Sequence, residues 1–375
     1  VSGLILRQID SPGALREVAG AWDRLWQRCD VSLPTVRAEL VAQWIERFFP
    51  RAALRILAVE RDGDLVAALP ICGCRVRRLL PVGDLTSNYW STNGELLLDP
   101  SAGTEAVLDR LIDGLERSPW PLLWFDLVPY ECPQWKRLIE RLSLRGLAVE
   151  LHPRYSIGRT EIEGSFDAYF ARRSRDHRRG VVKRWRRLEQ AGPVRWRLHA
   201  DFDPHEVEAR LHEAFRIESQ SWKQGNGQSV LETPGMFDFY LRQARQLARW
   251  GYLRIAFLEH RGEPIAFELG WTAKGVYHSY KVGYVPECAR YGPGHLLRMR
   301  IIEWLHNEPG HAAVDYQGPL TDAVAQWSTG AYPIGRLVIA PQRLLSRTLL
   351  RGYRSAAGVA RRVRAIHKSD GNGTP

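Results

Sequence analysis

The chain has 375 residues, 45% of them hydrophobic and 25% charged, and carries a formal charge of +11 at pH 7, for a calculated pI near 9.6. That composition excludes a disordered polymer and makes an anionic partner an expectation: a nucleotide cofactor, a nucleic acid or an acidic membrane surface. Cys29, Cys72, Cys74, Cys132 and Cys288 form neither a disulfide framework nor a zinc-ligand pattern, and no apolar run reaches 18 residues, so a cytoplasmic location is expected, without metal or stable membrane insertion.

From Gly13 to Asp30 the chain reads as helical, with Leu15, Val18, Trp22, Leu25 and Trp26 near one face. Pro34 stands near the first turn of a second helix through Phe49, which Pro50 stops. Two apolar runs around Asp62–Gly63 signal a hairpin, and a helix from about Ala102 to Glu116 leads into a buried strand, LLWFDLVP, ending at Pro129. A domain boundary is expected between Arg145 and Ser165, where a strand at Leu147–Leu151 meets Pro153. Beyond it, Phe166 to Gly192 reads as one basic helix bearing Arg172, Arg173, Arg175, Arg178, Arg179, Lys183, Arg184, Arg186 and Arg187. Such a face binds RNA, holds nucleotide phosphates or merely solubilises the protein. A strand, VRWRLH, and a helix ending near Trp222 follow, and then WKQGNGQSVLETPG, a loop with the composition of a lid.

The run Leu253 to Gly318 holds a hairpin turning at Arg261–Gly262, a strand from Val276, a loop closed by Gly292, Pro293 and Gly294, a helix of Leu, Met and Ile, and a last strand in HAAVDYQGP. Backbone N–H groups converge at the start of that helix, a seat for phosphate. The tail, from Arg347 to Lys368, is basic and reads either as a solvated terminus or as an anion site.

The two halves echo one another. At an offset of 199 residues RILAVERDGDLVAALP falls on RIAFLEHRGEPIAFEL, the helix VRAELVAQWIERFF falls on MFDFYLRQARQLAR at nearly the same offset, and FDLVP sits like VDYQGP with Asp126 near Asp315. Three coincidences in the same order predict two related α/β units in tandem: residues 1–155, residues 156–345 with the active site, and a basic tail from 346 to 375.

The P-loop, the dinucleotide fingerprint, the nucleophile elbow and the H-E-x-x-H metal motif are all absent from the sequence. What remains is Glu268 in an apolar strand, His278 and Tyr280 on the next strand, and Asp315 at the end of a third, a set that would accept a proton from an amine or hydroxyl and hold an acyl oxyanion. Each has a structural reading too: a paired core carboxylate for Glu268, a satisfied core pair for His278 and Tyr280, turn capping for Asp315. Trp222, Lys223 and Lys281 are the candidate substrate contacts. Cys288 is the covalent alternative, with no neighbour that clearly lowers its pKa.

The W-K loop, the hairpin ending IAFEL, the segment YHSYKVGYVPECARYGPGHLL and the closing VDYQG resemble the cellulose-biosynthesis-associated acetyltransferase-like family of the GNAT superfamily, which is related to the peptidoglycan-bridge aminoacyltransferases. The resemblance runs from about Trp22 to Leu337. It implies a tandem GNAT-like fold of the α/β (α+β) class with mixed central sheets, which transfers an acyl group from acyl-CoA to an amine of a small or peptide-like acceptor. Tyr291, Gly292, Gly294 and His295 would receive the pyrophosphate, although Pro293 departs from the R-x-x-G-x-G/A form. Two alternatives are an aminoacyl-tRNA-dependent transferase, in which the basic helix and tail hold tRNA, and a non-catalytic GNAT-like binding protein.

Overall fold

The computed structural model describes residues 3–102, 104–221 and 229–355. They form two compact units: one of residues 1–30, 36–154 and 334–375, the other of residues 31–35 and 155–333.

In the first unit, β1 (Leu4–Ile9), α1 (Pro12–Glu17), α2 (Ala19–Arg28) and α3 (Ala38–Phe48) precede the hairpin of β2 (Leu54–Arg61) and β3 (Asp64–Val76). After β4 (Leu80–Leu85) and the short β5 (Leu97–Leu98) come α4 (Thr104–Glu116), β6 (Leu123–Val128) and α5 (Pro133–Leu144). The strand order is β1-β2-β3-β4-β6, antiparallel except for β4 beside β6. The long helix read from Gly13 to Asp30 is two helices: α1 ends at Glu17, and Val18 is both its C-cap and the N-cap of α2. The strand expected to stop near Leu151 is β7 (Ala148–Glu161), which runs through Pro153 and is divided between the units at 154 and 155.

In the second unit the single basic helix is broken into α6 (Phe166–Ala171) and α7 (Arg175–Ala191). The cause is local: Ser165 and Ser174 each accept from the backbone N–H three residues on, so each starts its own helix. Then come β8 (Val194–His199), α8 (Pro204–Gln220), α9 (Met236–Arg249), β9 (Leu253–His260), β10 (Glu263–Ala273), β11 (Val276–Tyr284), α10 (Pro293–Asn307), β12 (Ala313–Pro319), α11 (Asp322–Ala325) and β13 (Gly330–Ala340). The order β7-β12-β11-β10-β9-β8 is a mixed sheet in which β11 and β12 are parallel. Residues 335–339 of β13 pair with β6, so the chain past 334 belongs to the first unit and not to the domain expected to run to 345. Residues 344–355 form a further helix on that unit, its Leu350 packed with Val82, Leu122, Trp124 and Val338. Residues 356–375, the rest of the basic tail, lie outside the described residues.

The repeat read from the sequence has backbone counterparts. β2 and β9 share one burial pattern, position by position. The turns after them, Asp62–Gly63 and Arg261–Gly262, are two-residue hairpins with positive φ at both residues, as is Lys274–Gly275, the twist that suits paired strands; the turn that follows β3 has positive φ at Arg77 and Arg78 but spans three residues, 77–79. The closing strands differ from expectation. Leu127 and Gln317 are each a positive-φ residue two places before a proline, and that alignment sets Asp126 against Tyr316, not against Asp315.

Candidate functional site

The register of β10 and β11 sorts the candidate residues onto two faces. Glu268 pairs with Val282, Thr272 with Tyr277 and Leu269 with Lys281, and the ladder slips between Leu269 and Gly270, leaving Tyr280 as a bulge. One face lies against α10: there Arg298 donates to Glu268 at 3.4 Å and to the Ser279 hydroxyl at 3.4 Å, and its guanidinium stacks 4.8 Å from the Tyr316 ring. Burial, then the charge of and hydrogen bond to Glu268, push the Tyr277 phenol well above its ordinary range. Glu268 is therefore a buried, paired carboxylate.

The other face lies against α8 and α9. Lys281 bridges to Glu218 of α8 at 3.2 Å, and Glu218 also accepts from the Val230 N–H. The Tyr280 hydroxyl meets that of Tyr240 at 3.2 Å, and the Lys281 ammonium lies 5.2 Å from the Tyr240 ring. His278 and Asp315 share this face and form the last pair of the β11–β12 ladder. The Gln317 amide donates to Asp315 at 2.8 Å and sits 3.1 Å from the His278 Nδ1; the Gln317 N–H and the Tyr332 hydroxyl also donate to Asp315. Trp222 and Lys223 lie outside the described residues.

Beyond His278 and Asp315 the two parallel strands part. Only residues 276–278 and 313–315 pair, while β11 continues to Tyr284 and β12 to Pro319. A cavity of about 460 Å³ opens at the far end of this split, lined by Val282, Gly283 and Tyr284 of β11, by Arg290, Gly292, Gly294, His295 and Arg298 around the start of α10, and by Arg184 and Trp327. Its lining has cations and no carboxylate. Gly292 takes a left-handed conformation, φ 59° and ψ 51°, which favours glycine, and a Cβ there would stand 2.9 Å from the Arg184 side chain and displace it. Gly294 is different, since an added Cβ meets nothing closer than Tyr284 at 3.9 Å.

Pro293 has no N–H, and those of His295 and Leu296 turn back to the Gly292 carbonyl. The helix start thus presents the Gly294 N–H, the positive end of its dipole and two guanidiniums, Arg184 and Arg290, to the cavity. Trp327 donates to the His295 Nδ1 at 3.1 Å, so the ring proton sits on Nε2. Burial, reinforced by Arg184, holds the His295 pKa down to about 4. The imidazole is a neutral donor at pH 7. Tyr291 does not line the cavity; it lies beneath Arg290 and beside His260. Burial, then Glu287, raises the Cys288 thiol, which disfavours the thiolate a nucleophile needs.

Arg298 and Trp327 escaped the sequence reading, which took Arg184 only as one member of the basic helix and Arg290 only as the start of the loop before α10. Arg184 had a legible signal, because it stands three residues after Val181 and four before Leu188, on the inward stripe of α7. Arg298 likewise sits three and four residues before the buried Ile301 and Ile302, a cation aimed at the sheet that carries Glu268.

His278 yields a pH prediction. Burial lowers its pKa to about 4, against the raising pull of Asp315 and a backbone hydrogen bond at Ser32. The unfolded chain, titrating near 6.5, binds the extra proton first, so stability is full above pH 6.5 and falls toward pH 4, at up to about 1.4 kcal/mol per pH unit. Urea midpoints between pH 7 and 4.5 should fall with this sign, to which the similarly depressed His295 adds, and His278→Gln should make the fall shallower without removing it; an unchanged slope in that variant assigns the acid lability elsewhere.

Parallel strands pair at one end and open at the other, with a cationic helix start in the opening, in a fold of mixed α/β type. Residues 175–323 match the model of the acetyltransferase (GNAT) domain, and the protein is accordingly an acyltransferase enzyme. Three solved structures share the fold. The C-terminal domain of a putative lysylphosphatidylglycerol synthetase from Agrobacterium fabrum is 11% identical, with a TM-score of 0.55 over 90% of this chain and 95% of that one. A conserved protein of unknown function from Bacteroides thetaiotaomicron is 11% identical, with a TM-score of 0.54 over 90% and 100%. L-PGS from Bacillus licheniformis is 12% identical, with a TM-score of 0.50 over 89% and 95%. Among curated protein sequences, none matches the chain significantly.

Among the described residues no helix is long and apolar enough to cross a membrane, and no group of three or more His, Cys, Asp or Glu side chains is placed to hold a metal ion.

Proposed function

We propose that the protein moves an aminoacyl group from aminoacyl-tRNA to the amine of a small or peptide-like acceptor, in the second of two GNAT-like units in tandem. The observation that carries this reading is the outer face of α7. Arg178, Arg179, Lys183, Arg186 and Arg187 line a groove of about 530 Å³ with Phe170 and Val182, and the same helix sends Arg184 into the strand-split cavity. One helix would thus hold an extended polyanion outside and its terminal nucleotide inside. Membership of the cellulose-biosynthesis-associated branch belongs to the same proposal. The printed name of the Agrobacterium fabrum structure, a putative lysylphosphatidylglycerol synthetase, denotes a product that carries an aminoacyl group.

In this reading the acceptor nitrogen attacks the ester carbonyl, the bond to the ribose oxygen breaks, and the nitrogen's proton passes to that oxygen by way of an enzyme carboxylate. Asp315 stands at the apex of the split and takes the proton through Tyr332 or a water. Tyr280, on the bulge, orients the carbonyl, and His278 with Gln317 keeps Asp315 in place. Glu268 acts through Arg298, and Lys281 and Glu218 shape the acceptor side. Asp315→Asn should lower kcat about a hundredfold or more with KM little changed; equal turnover removes its role.

Acyl-CoA is the second reading. Gly292, Gly294, His295, Arg184 and Arg290 fit a pyrophosphate at the start of α10, and that geometry requires no RNA.

The donor is tested by changing Arg179, Lys183, Arg186 and Arg187 together to Gln. Affinity for aminoacyl-tRNA should fall, and the slope of log K against log salt should shrink by roughly 3, at about 0.7 per lost phosphate contact. Indifference of tRNA binding to these changes, with acetyl-CoA turnover intact, would transfer the assignment to the second reading.

A further inference from the structure

We infer that one end of the first unit is a docking surface for an anionic phospholipid membrane, separate from the acyl-transfer site. The topology collects three segments there. β4 and β6 are parallel and level at Gly83 and Leu123, so both begin at this end, and β13, antiparallel to β6 with Ile339 opposite Leu123, leaves the sheet at the same end. The β3–β4 turn at residues 77–79, the loop between α4 and β6, and the first turn of the helix at 344–355 therefore lie together. Contacts hold them: Arg343 donates to the carbonyls of Glu116 and Ser118, and the Trp120 ring lies against Gly73 and Gly83, where a Cβ would approach it to 3.0 and 2.4 Å.

The side chains that these segments turn outward are of two kinds. Leu79, Leu344 and Leu345 are 81%, 88% and 62% exposed, at the tip of a hairpin and the start of a helix. Around them Arg75, Arg77, Arg78, Arg117 and Arg347 are exposed, and among the described residues none of these five makes an ion pair. Glu116, next to Arg117 in sequence, is paired with Arg145, and Glu150 with Arg354. Arg55, partly buried beside Arg117 and Arg343, has its pKa lowered by burial and then by those two cations, so positive charge here is concentrated without internal compensation. In sequence the chain continues past the described helix with Arg361, Arg362, Arg364 and Lys368.

An anionic bilayer satisfies both kinds of side chain at once. Guanidiniums reach lipid phosphates while the leucines enter the boundary between headgroups and acyl chains, each basic residue adding about 1 kcal/mol near the surface. A nucleic acid would satisfy the arginines and leave three prominent leucines in water. The backbone is suited to the task, because Arg77 and Arg78 occupy the left-handed region, φ 51° and 63°, and form the turn itself.

The test is flotation of the full chain with vesicles of phosphatidylcholine alone or mixed with phosphatidylglycerol. The protein should float with the mixed vesicles only. Arg77→Gln with Arg78→Gln should weaken that binding on the order of thirtyfold, and Leu79→Ser with Leu344→Ser and Leu345→Ser should weaken it at physiological salt, where charge is screened, while circular dichroism and tRNA binding stay unchanged. Failure of the wild-type chain to float, or flotation of the leucine variant equal to wild type, overturns the proposal. So does salt-sensitive RNA binding that is lost in the Arg77/Arg78 variant without any vesicle binding.

Discussion

Glu268→Ala should destabilise the second unit by about 3–5 kcal/mol, the cost of leaving a buried cation without its counter-charge. Arg298 would be the orphan: burial opposes its charge, Glu268 is the largest influence restoring it, and its other neighbours are the Ser279 hydroxyl and the Tyr316 ring. Replacing both partners by apolar residues of similar size, Glu268→Leu with Arg298→Met, should recover most of the loss, because the desolvation cost disappears together with the attraction. Denaturant midpoints of the three variants check this, and a Glu268→Ala protein as stable as wild type would show that Arg298 has no need of the pair. Glu268→Gln separates the roles: the amide still accepts from Arg298 but carries no counter-charge, so it should cost less stability than Ala; a braced cavity then keeps the turnover of its folded fraction, whereas loss of a general base lowers kcat of the folded protein itself.

Features set by local chemistry were legible before the structure. Asp62–Gly63 and Arg261–Gly262 announce two-residue turns between apolar runs, and both turns have the positive φ expected of them. The Gly292-Pro293-Gly294 loop announces a helix start, and Gly292, Gly294 and His295 do line the cavity there. What depends on sequence-distant packing was not legible. Glu268 and His278 stand on adjacent strands, yet the bulge at Tyr280 inverts the count, and a one-residue slip moves every later side chain to the opposite face. The bounds of the second unit failed for a similar reason: β13 runs unbroken from Gly330 to Ala340, and what takes residues 335–339 into the other unit is their pairing with β6, a partner distant in sequence. Asp126 illustrates the limit of reading a repeat, since Arg154 at 2.7 Å and Arg336 at 2.6 Å hold it in a double ion pair that its counterpart position does not have.

Gly270→Ala should damage both stability and turnover, and it tests whether the bulge that sorts the site is held by packing. A Cβ at Gly270 would lie 2.4 Å from the His278 carbonyl oxygen and 3.1 Å from the Tyr277 ring. The first contact is backbone, hydrogen-bonded into the same ladder, so no side-chain rotation relieves it; the strands must separate, at about 1–3 kcal/mol for overpacking of this kind. Separation there moves His278, the last residue of β11 that pairs with β12, and with it the apex where Asp315 and Tyr280 face the split. kcat should therefore fall further than the loss of folded protein accounts for. Gly294→Ala is the matched control, since its Cβ meets only Tyr284 at 3.9 Å: stability should hold within about 0.5 kcal/mol, with donor binding little altered. If Gly270→Ala melts and turns over like wild type while Gly294→Ala does not, the site is organised by the helix start rather than by the bulge.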